Sequence, residues 1–235
     1  GKGAIIVNGN GTELVNEKAI KGRAKRKMIT NKMTLSLIEV VKENKDFDRL
    51  KGYWNTYHCH SKLYTVNGKL YGRYCKNRYC LLCCSIRKAD IMNRYLPIIK
   101  TWEDPHFVTL TARSVPLKSL AKRMKSMING FKIISRKYRK RAQRNKGIKL
   151  IGIKSLECNY NPTLKKYNPH LHLIVASKQM ADILKKEWLA ICPEYLANPK
   201  GQKIQRVWNN EKALIEIVKY GSKIFTEPDV NNKSS

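Results

Sequence analysis

Acidic residues are scarce in this chain. Seventeen Asp and Glu stand against 48 Lys and Arg, a formal net charge of +31 over 235 residues. From Pro105 to Leu156 there is no Asp or Glu at all. Self-repulsion on this scale disfavours a compact chain, so solubility alone is a poor account of it and a polyanionic partner is the simple one. Nucleic acid leads and an anionic membrane surface follows. Long apolar runs are also missing, which excludes a membrane-crossing helix. The first apolar patch, Ala4–Val7, is too brief for a secretory signal and lacks a cleavage pattern. The expected compartment is therefore a reducing cytoplasm, where the seven cysteines do not form disulfides. Histidine is rare, with five in the chain, and there are no internal repeats.

What is present divides into segments. Residues 1–35 are rich in Gly, Asn and Lys, and the basic run Lys18–Lys32 reads as a loose arm ordered on nucleic acid. A short helix is expected over Met33–Lys45. Asn67-Gly68 is a tight-turn signal, so Tyr57–Val66 and Lys69–Arg73 are expected to pair as a hairpin. His106–Thr111 and Leu150–Cys158 read as strands, as does His170–Ala176, with Asn159–Pro169 as a polar turn between the last two. The stretch from Pro116 to about Asn145 reads as a long amphipathic helix. Further helices are expected over Lys178–Ile191 and Lys212–Lys223, and a disordered tail over Glu227–Ser235.

Three constellations carry chemistry. His170 and His172 alternate with Leu171 and Leu173, so in a strand both imidazoles share one face while the leucines enter a core. Two imidazoles on one face make half of a metal site, although a surface or structural pair fits the spacing too. Glu157 ends the preceding strand and is the nearest acid. In an antiparallel pairing it would meet the histidines, with a metal or a lysine as its cation. His and carboxylate ligands suit Mg²⁺ or Mn²⁺ acting on phosphate oxygens. In the helix around Tyr220, Glu216 lies one turn before and Lys223 one turn after, all on one face. A phenol so placed can attack phosphorus, but most such helical pairs are merely amphipathic surface.

Cys75, Cys80 and Cys83 are separated by four and two residues, with Cys59 upstream. Four thiolates close a tetrahedral zinc site, and His58, His60 or Cys84 can replace one ligand. Cys158 and Cys192 are solitary and suit core packing. Between Lys118 and Lys149 there are 13 Lys or Arg, many of them opposite the apolar stripe of the long helix. A wholly basic face favours phosphate contact over a solvated surface. The candidate DNA contacts are Arg113, Lys122, Arg123, Arg136, Lys137, Arg139, Lys140 and Arg141.

In order along the chain stand Phe107-Val108-Thr109-Leu110-Thr111, then His170-Leu171-His172 after Asn-Pro, then Glu216, Tyr220 and Lys223. With the Cys75–Cys83 segment, these resemble the motifs of rolling-circle plasmid replication initiators of the single-tyrosine HUH type, over roughly Trp54–Phe225. The resemblance implies an α+β HUH endonuclease fold, a five-stranded antiparallel sheet flanked by helices, with a small zinc-binding element upstream. It implies a divalent metal at His170, His172 and Glu157, and Tyr220 as a nucleophile that keeps the 5′ phosphate. Glu216 would activate water to end the cycle.

The implied partners are single-stranded or stem-loop origin DNA, with host helicase and polymerase, and a homo-oligomer is compatible. Leu82 stands where the family often has Pro, and Cys84 is an extra cysteine, which leaves the last zinc ligand open. The expected organisation is a basic arm and short helix over 1–50, a zinc element over 51–100, an endonuclease core over 101–226 and a tail over 227–235. Little chain follows Tyr220, so origin recognition is expected to rest on the basic helix, the arm or the zinc element. Relaxases usually place the tyrosine before the histidines, and related transposases often carry two tyrosines, whereas Ile224 follows Tyr220 here. The alternatives are a transposase of a mobile element or a non-catalytic, zinc-stabilised nucleic-acid-binding protein.

Overall fold

The structure, a computed structural model, describes residues 11–193, 196–218 and 222–226, the last five as backbone. The chain divides into two compact units, Gly1–Asp90 and Ile91–Ser235. Among the described residues no helix is long and apolar enough to cross a membrane.

The first unit contains a short strand β1 (Thr12–Glu13), helices α1 (Glu17–Glu43) and α2 (Phe47–Tyr57), and the hairpin β2 (Leu63–Val66) and β3 (Lys69–Gly72). Its sheet has the order β1-β3-β2, all antiparallel. The basic segment expected as a loose arm is instead the first half of α1, continuous with the short helix expected from Met33. Asn16 caps it by accepting from the Ala19 amide at 3.0 Å. Its buried positions are Arg23, Thr30, Thr34, Ile38 and Val41, so its inward face is half polar and shows little hydrophobic periodicity. Those polar groups are satisfied: Arg23 donates to the Leu70 carbonyl and the Tyr74 hydroxyl, and the Thr34 hydroxyl to the Thr30 carbonyl. The hairpin turns at Asn67 and Gly68, both at positive φ, 48° and 72°, as a tight primed turn requires. Its first strand is shorter than expected, because Tyr57 ends α2.

Helix α3 (Leu81–Ile99), to which the sequence reading assigns no element, gives its first turns to the first unit and the rest to the second. The second unit is built on an antiparallel sheet of order β7-β4-β6-β5-β8. Its strands are β4 (His106–Thr111), β5 (Gly152–Asn161), β6 (Lys166–Val175), β7 (Lys203–Arg206) and β8 (Ser222–Thr226). Four of them carry the described side chains, and β8 adds backbone pairing at the β5 edge. Helices α4 (Leu117–Gln143), α5 (Lys178–Ile191) and α6 (Asn210–Val218) complete the unit.

Alternation sorts the sheet into two faces. Val108, Leu110, Leu171, Leu173 and Val175 face a core built with Met127, Phe131 and Ile134 of α4 and Ala181, Leu184 and Trp188 of α5. Burying one such side chain as fully as Phe131 contributes about 1.5–3 kcal/mol. On the other face Ile153 and Ile174 pack with Tyr95 and Ile99 of α3 and with Leu214, Ile217 and Val218 of α6.

Two expectations fail here. The Asn159–Pro169 segment is mostly paired strand, with register running to Asn161↔Lys166, so only the tip turns. Pro169 is tolerated because β6 pairs with β5 there while the β4 register begins one residue later, at Thr111↔His170. The helix expected to reach Lys223 ends at Val218 among the described residues, and Lys223 lies in β8, in register with Lys154. The tail expected over Glu227–Ser235 lies outside the described residues.

Candidate metal centres

The sheet register creates the first cluster. His170 stands opposite Glu157, and His172 opposite Ser155 on one side and Thr109 on the other. Position parity puts all of them on the sheet face that α6 covers. Glu157 Oε2 lies 3.5 Å from His170 Nε2 and 3.4 Å from His172 Nε2. The two rings meet edge to face, 4.6 Å between centroids. Glu157 and His170 are buried, and His172 is nearly so.

Each imidazole is held through its other nitrogen. His170 Nδ1 sits 2.9 Å from the Asn168 carbonyl, and His172 Nδ1 3.1 Å from the Thr109 hydroxyl. With Nδ1–H donated to those oxygens, both Nε2 lone pairs are free to point at a common centre beside the carboxylate. Burial, and then the charge of His170, push the His172 imidazole down to about 4, with Glu216 opposing the shift. The ring is thus neutral at physiological pH, the form a metal needs. The three ligand atoms lie within 4.8 Å of one another, and the group can hold a metal ion. Sequence reasoning found Glu157, His170 and His172 but not Thr109 or Asn168 as ring supports; the Phe107–Thr111 strand and the Asn before Pro169 were the available signals.

Glu216 is exposed on α6, near enough to act electrostatically on His172. The packing of Leu214, Ile217 and Val218 sets α6 on the histidine face. Tyr220 lies outside the described residues. Lys223 belongs to a strand, so the expected common helix face of Glu216, Tyr220 and Lys223 is not formed.

The second cluster is Cys59, Cys75, Cys80 and Cys83, whose sulfurs also lie within 4.8 Å of one another. Cys83 Sγ is 3.6 Å from those of Cys59 and Cys75. Backbone amides point at the sulfurs: Cys75 N at Cys59, Lys76 N at Cys83, and Asn77 N at Cys75, at 3.2–3.4 Å. Such donors stabilise thiolates, the form that binds metal. Hydrogen bonding within the cluster splits the four thiols, lowering Cys75 and Cys80, the latter to about 7, and raising Cys59 and Cys83. Four thiolates in tetrahedral reach fit a closed structural metal site.

The alternatives for the fourth ligand stand apart. The Cys84 thiol donates to the Arg78 carbonyl, His58 stacks on Trp54, and His60 packs on Tyr74. Of the two solitary cysteines expected in the core, Cys192 is half-buried against it, and Cys158 is half-buried.

The basic candidates divide. Lys122, Arg136, Arg139, Lys140 and Arg141 are exposed on α4, and Arg113 is exposed after β4. Lys137 is spent on Glu187, 2.8 Å away, and Arg123 donates to the Arg113 carbonyl. Arg141 also covers the Tyr138 ring, 5.6 Å from its centroid. Helix α4 packs on the sheet face opposite the histidines.

Comparison with known proteins gives two matches. Residues 68–229 match a family described as "Replication protein". A protein from Staphylococcus aureus named "Protein rep" is 31% identical over 179 residues, covering 69% of this chain and 72% of the relative. No solved structure matches.

Proposed function

The chain belongs to the replication-protein family, and from that premise we propose that it initiates rolling-circle replication of a plasmid by an HUH-type nick in one strand of its origin. The observation that carries the reading is the convergence of Glu157, His170 and His172 on the sheet face where α6 packs. Their donor set, two imidazoles and one carboxylate, fits Mg²⁺ or Mn²⁺. When bound, the cation supplies Lewis-acid polarisation of the scissile phosphate.

The protein's own groups perform the rest. The Tyr220 oxygen attacks phosphorus as the bond to the 3′ oxygen breaks. The phenol gives its proton to water, the departing 3′ oxygen takes a proton from water to become a hydroxyl, and the 5′ phosphate stays on the tyrosine. Glu216, on the same side of the sheet, takes a proton from the water or hydroxyl that later resolves the phosphotyrosine. Lys223, off the helix, is left without a role in this scheme. The cysteine cluster holds a structural Zn²⁺, and the exposed arginines and lysines of α4 contact phosphates. The setting is the bacterial cytoplasm.

The test is incubation with a labelled single-stranded origin oligonucleotide and Mn²⁺. A denaturation-stable adduct, lost in Tyr220→Phe, is expected. Origin binding with no adduct from the wild type would instead make the protein a non-catalytic binding module.

A further inference from the structure

Ser155 is a buried polar side chain of the histidine face that the scheme above leaves unused. It stands directly across from His172 in the β5–β6 register and two residues before Glu157, so it shares their face. Directly opposed residues on one face hold their Cβ atoms roughly 5 Å apart, which places the hydroxyl at the rim of the ligand cluster. Ser155 is 1% exposed, and its Oγ has no hydrogen-bond partner among the described residues. A buried hydroxyl left unpaired costs stability that an alanine would not, so its presence calls for something to bind. It does not support a ring, because His172 Nδ1 is already held by Thr109 from the opposite strand.

We infer that the Ser155 hydroxyl oxygen belongs to the ligand set of the divalent cation held by Glu157, His170 and His172. The inference rests on the reading of those three residues as a cation site. A second oxygen beside the Glu157 carboxylate balances two imidazoles with two oxygens. It moves the site toward the hard cations, Mg²⁺ and Mn²⁺, and away from zinc. It also accounts for a polar residue at a strand position whose neighbour one row along on the same face is Ile153.

The experiment is a Mn²⁺ titration of the purified protein, a cation that the soft cysteine cluster binds poorly, with thermal melts run in the absence of Mn²⁺. Ser155→Ala is expected to weaken Mn²⁺ binding by about 10-fold or more. Its melting temperature without Mn²⁺ should be equal to or higher than that of the wild type, since an unpaired buried hydroxyl has been removed. Ser155→Thr, which keeps the hydroxyl, should retain the wild-type affinity. Equal Mn²⁺ affinity in wild type and Ser155→Ala overturns the inference, as does equal weakening in Ser155→Thr. If the wild type shows no saturable Mn²⁺ binding that His172→Ala removes, the cation site itself fails. That outcome is separate from the failure of Ser155 alone.

Discussion

Glu157 Oε2 lies 3.4 Å from His172 Nε2, although fourteen residues and a strand reversal separate the two in the chain. The long β5–β6 hairpin makes this meeting, since its register puts Glu157 opposite His170 and Ser155 opposite His172. The position of the carboxylate is thus a product of hairpin length and parity, and a one-residue slip would turn it to the other face.

The ligand cluster should respond sharply to loss of one member. His172→Ala is expected to weaken Mn²⁺ binding about 100-fold and to reduce nicking at least as much. Thr109→Val should weaken both by about 10-fold by releasing the ring nitrogen it holds. Titration with Mn²⁺ and single-turnover cleavage of an origin oligonucleotide measure the two effects.

Tyr220→Phe should bind the origin as well as the wild type and form no covalent product. Glu216→Ala should make the first cut at close to the normal rate and accumulate the adduct, because its assigned work comes later. Comparable loss of both steps would refute that assignment.

Cys83→Ser should open the first unit, seen as faster proteolysis within residues 11–90 and loss of bound zinc. Cys84→Ser should change stability by no more than about 0.5 kcal/mol, as its thiol is engaged outside the cluster. Equal sensitivity at the two positions would argue against the four-cysteine assignment.

Acid should loosen the contact between α4 and α5. Burial raises the Glu187 carboxyl, but hydrogen bonds from Lys137 and Tyr138 outweigh it and leave the group below its ordinary value. The native state therefore holds fewer protons here than the unfolded chain in mild acid. This stabilisation is complete above the ordinary carboxylate pKa and is lost as the pH falls through the native one. Urea unfolding at neutral pH and at about pH 3.5 should show a smaller acid-induced drop in Glu187→Gln than in the wild type.

Replacing Arg136, Arg139 and Lys140 by alanine should weaken origin binding in low salt. It should also reduce the slope of log affinity against log salt by about one for each phosphate that is no longer neutralised. Lys137→Ala should leave that slope unchanged, since its charge is already matched by Glu187.

Much of the cluster could be read from the sequence because strand alternation is a local rule. His170 and His172 had to share a face, and Glu157 fell beside them once the strands paired. Helix α5 was legible to the residue, and β4 likewise, because their apolar periods are clean. Helix α1 was not, since Thr30, Thr34 and Arg23 occupy inward positions where apolar residues would have given a signal. Helix α3 carries Pro97 inside it, which reads as a break, and β7 is only four residues long. The extent of β6 was hidden by Pro169, a strand breaker that is harmless where the β4 neighbour is absent. The reach of α6 was misjudged because the helical spacing of Glu216 and Tyr220 continues on paper to Lys223, which lies in β8.

The histidines and the basic helix α4 lie on opposite sides of one sheet. A layer of backbone and the packed cores on either side stand between them. A polynucleotide held by both must pass around a rim of the sheet. On the proposed function its grip and its cut would then fall on different stretches of strand, and an extruded hairpin loop, with stem and tip at an angle, has the contour to make that turn.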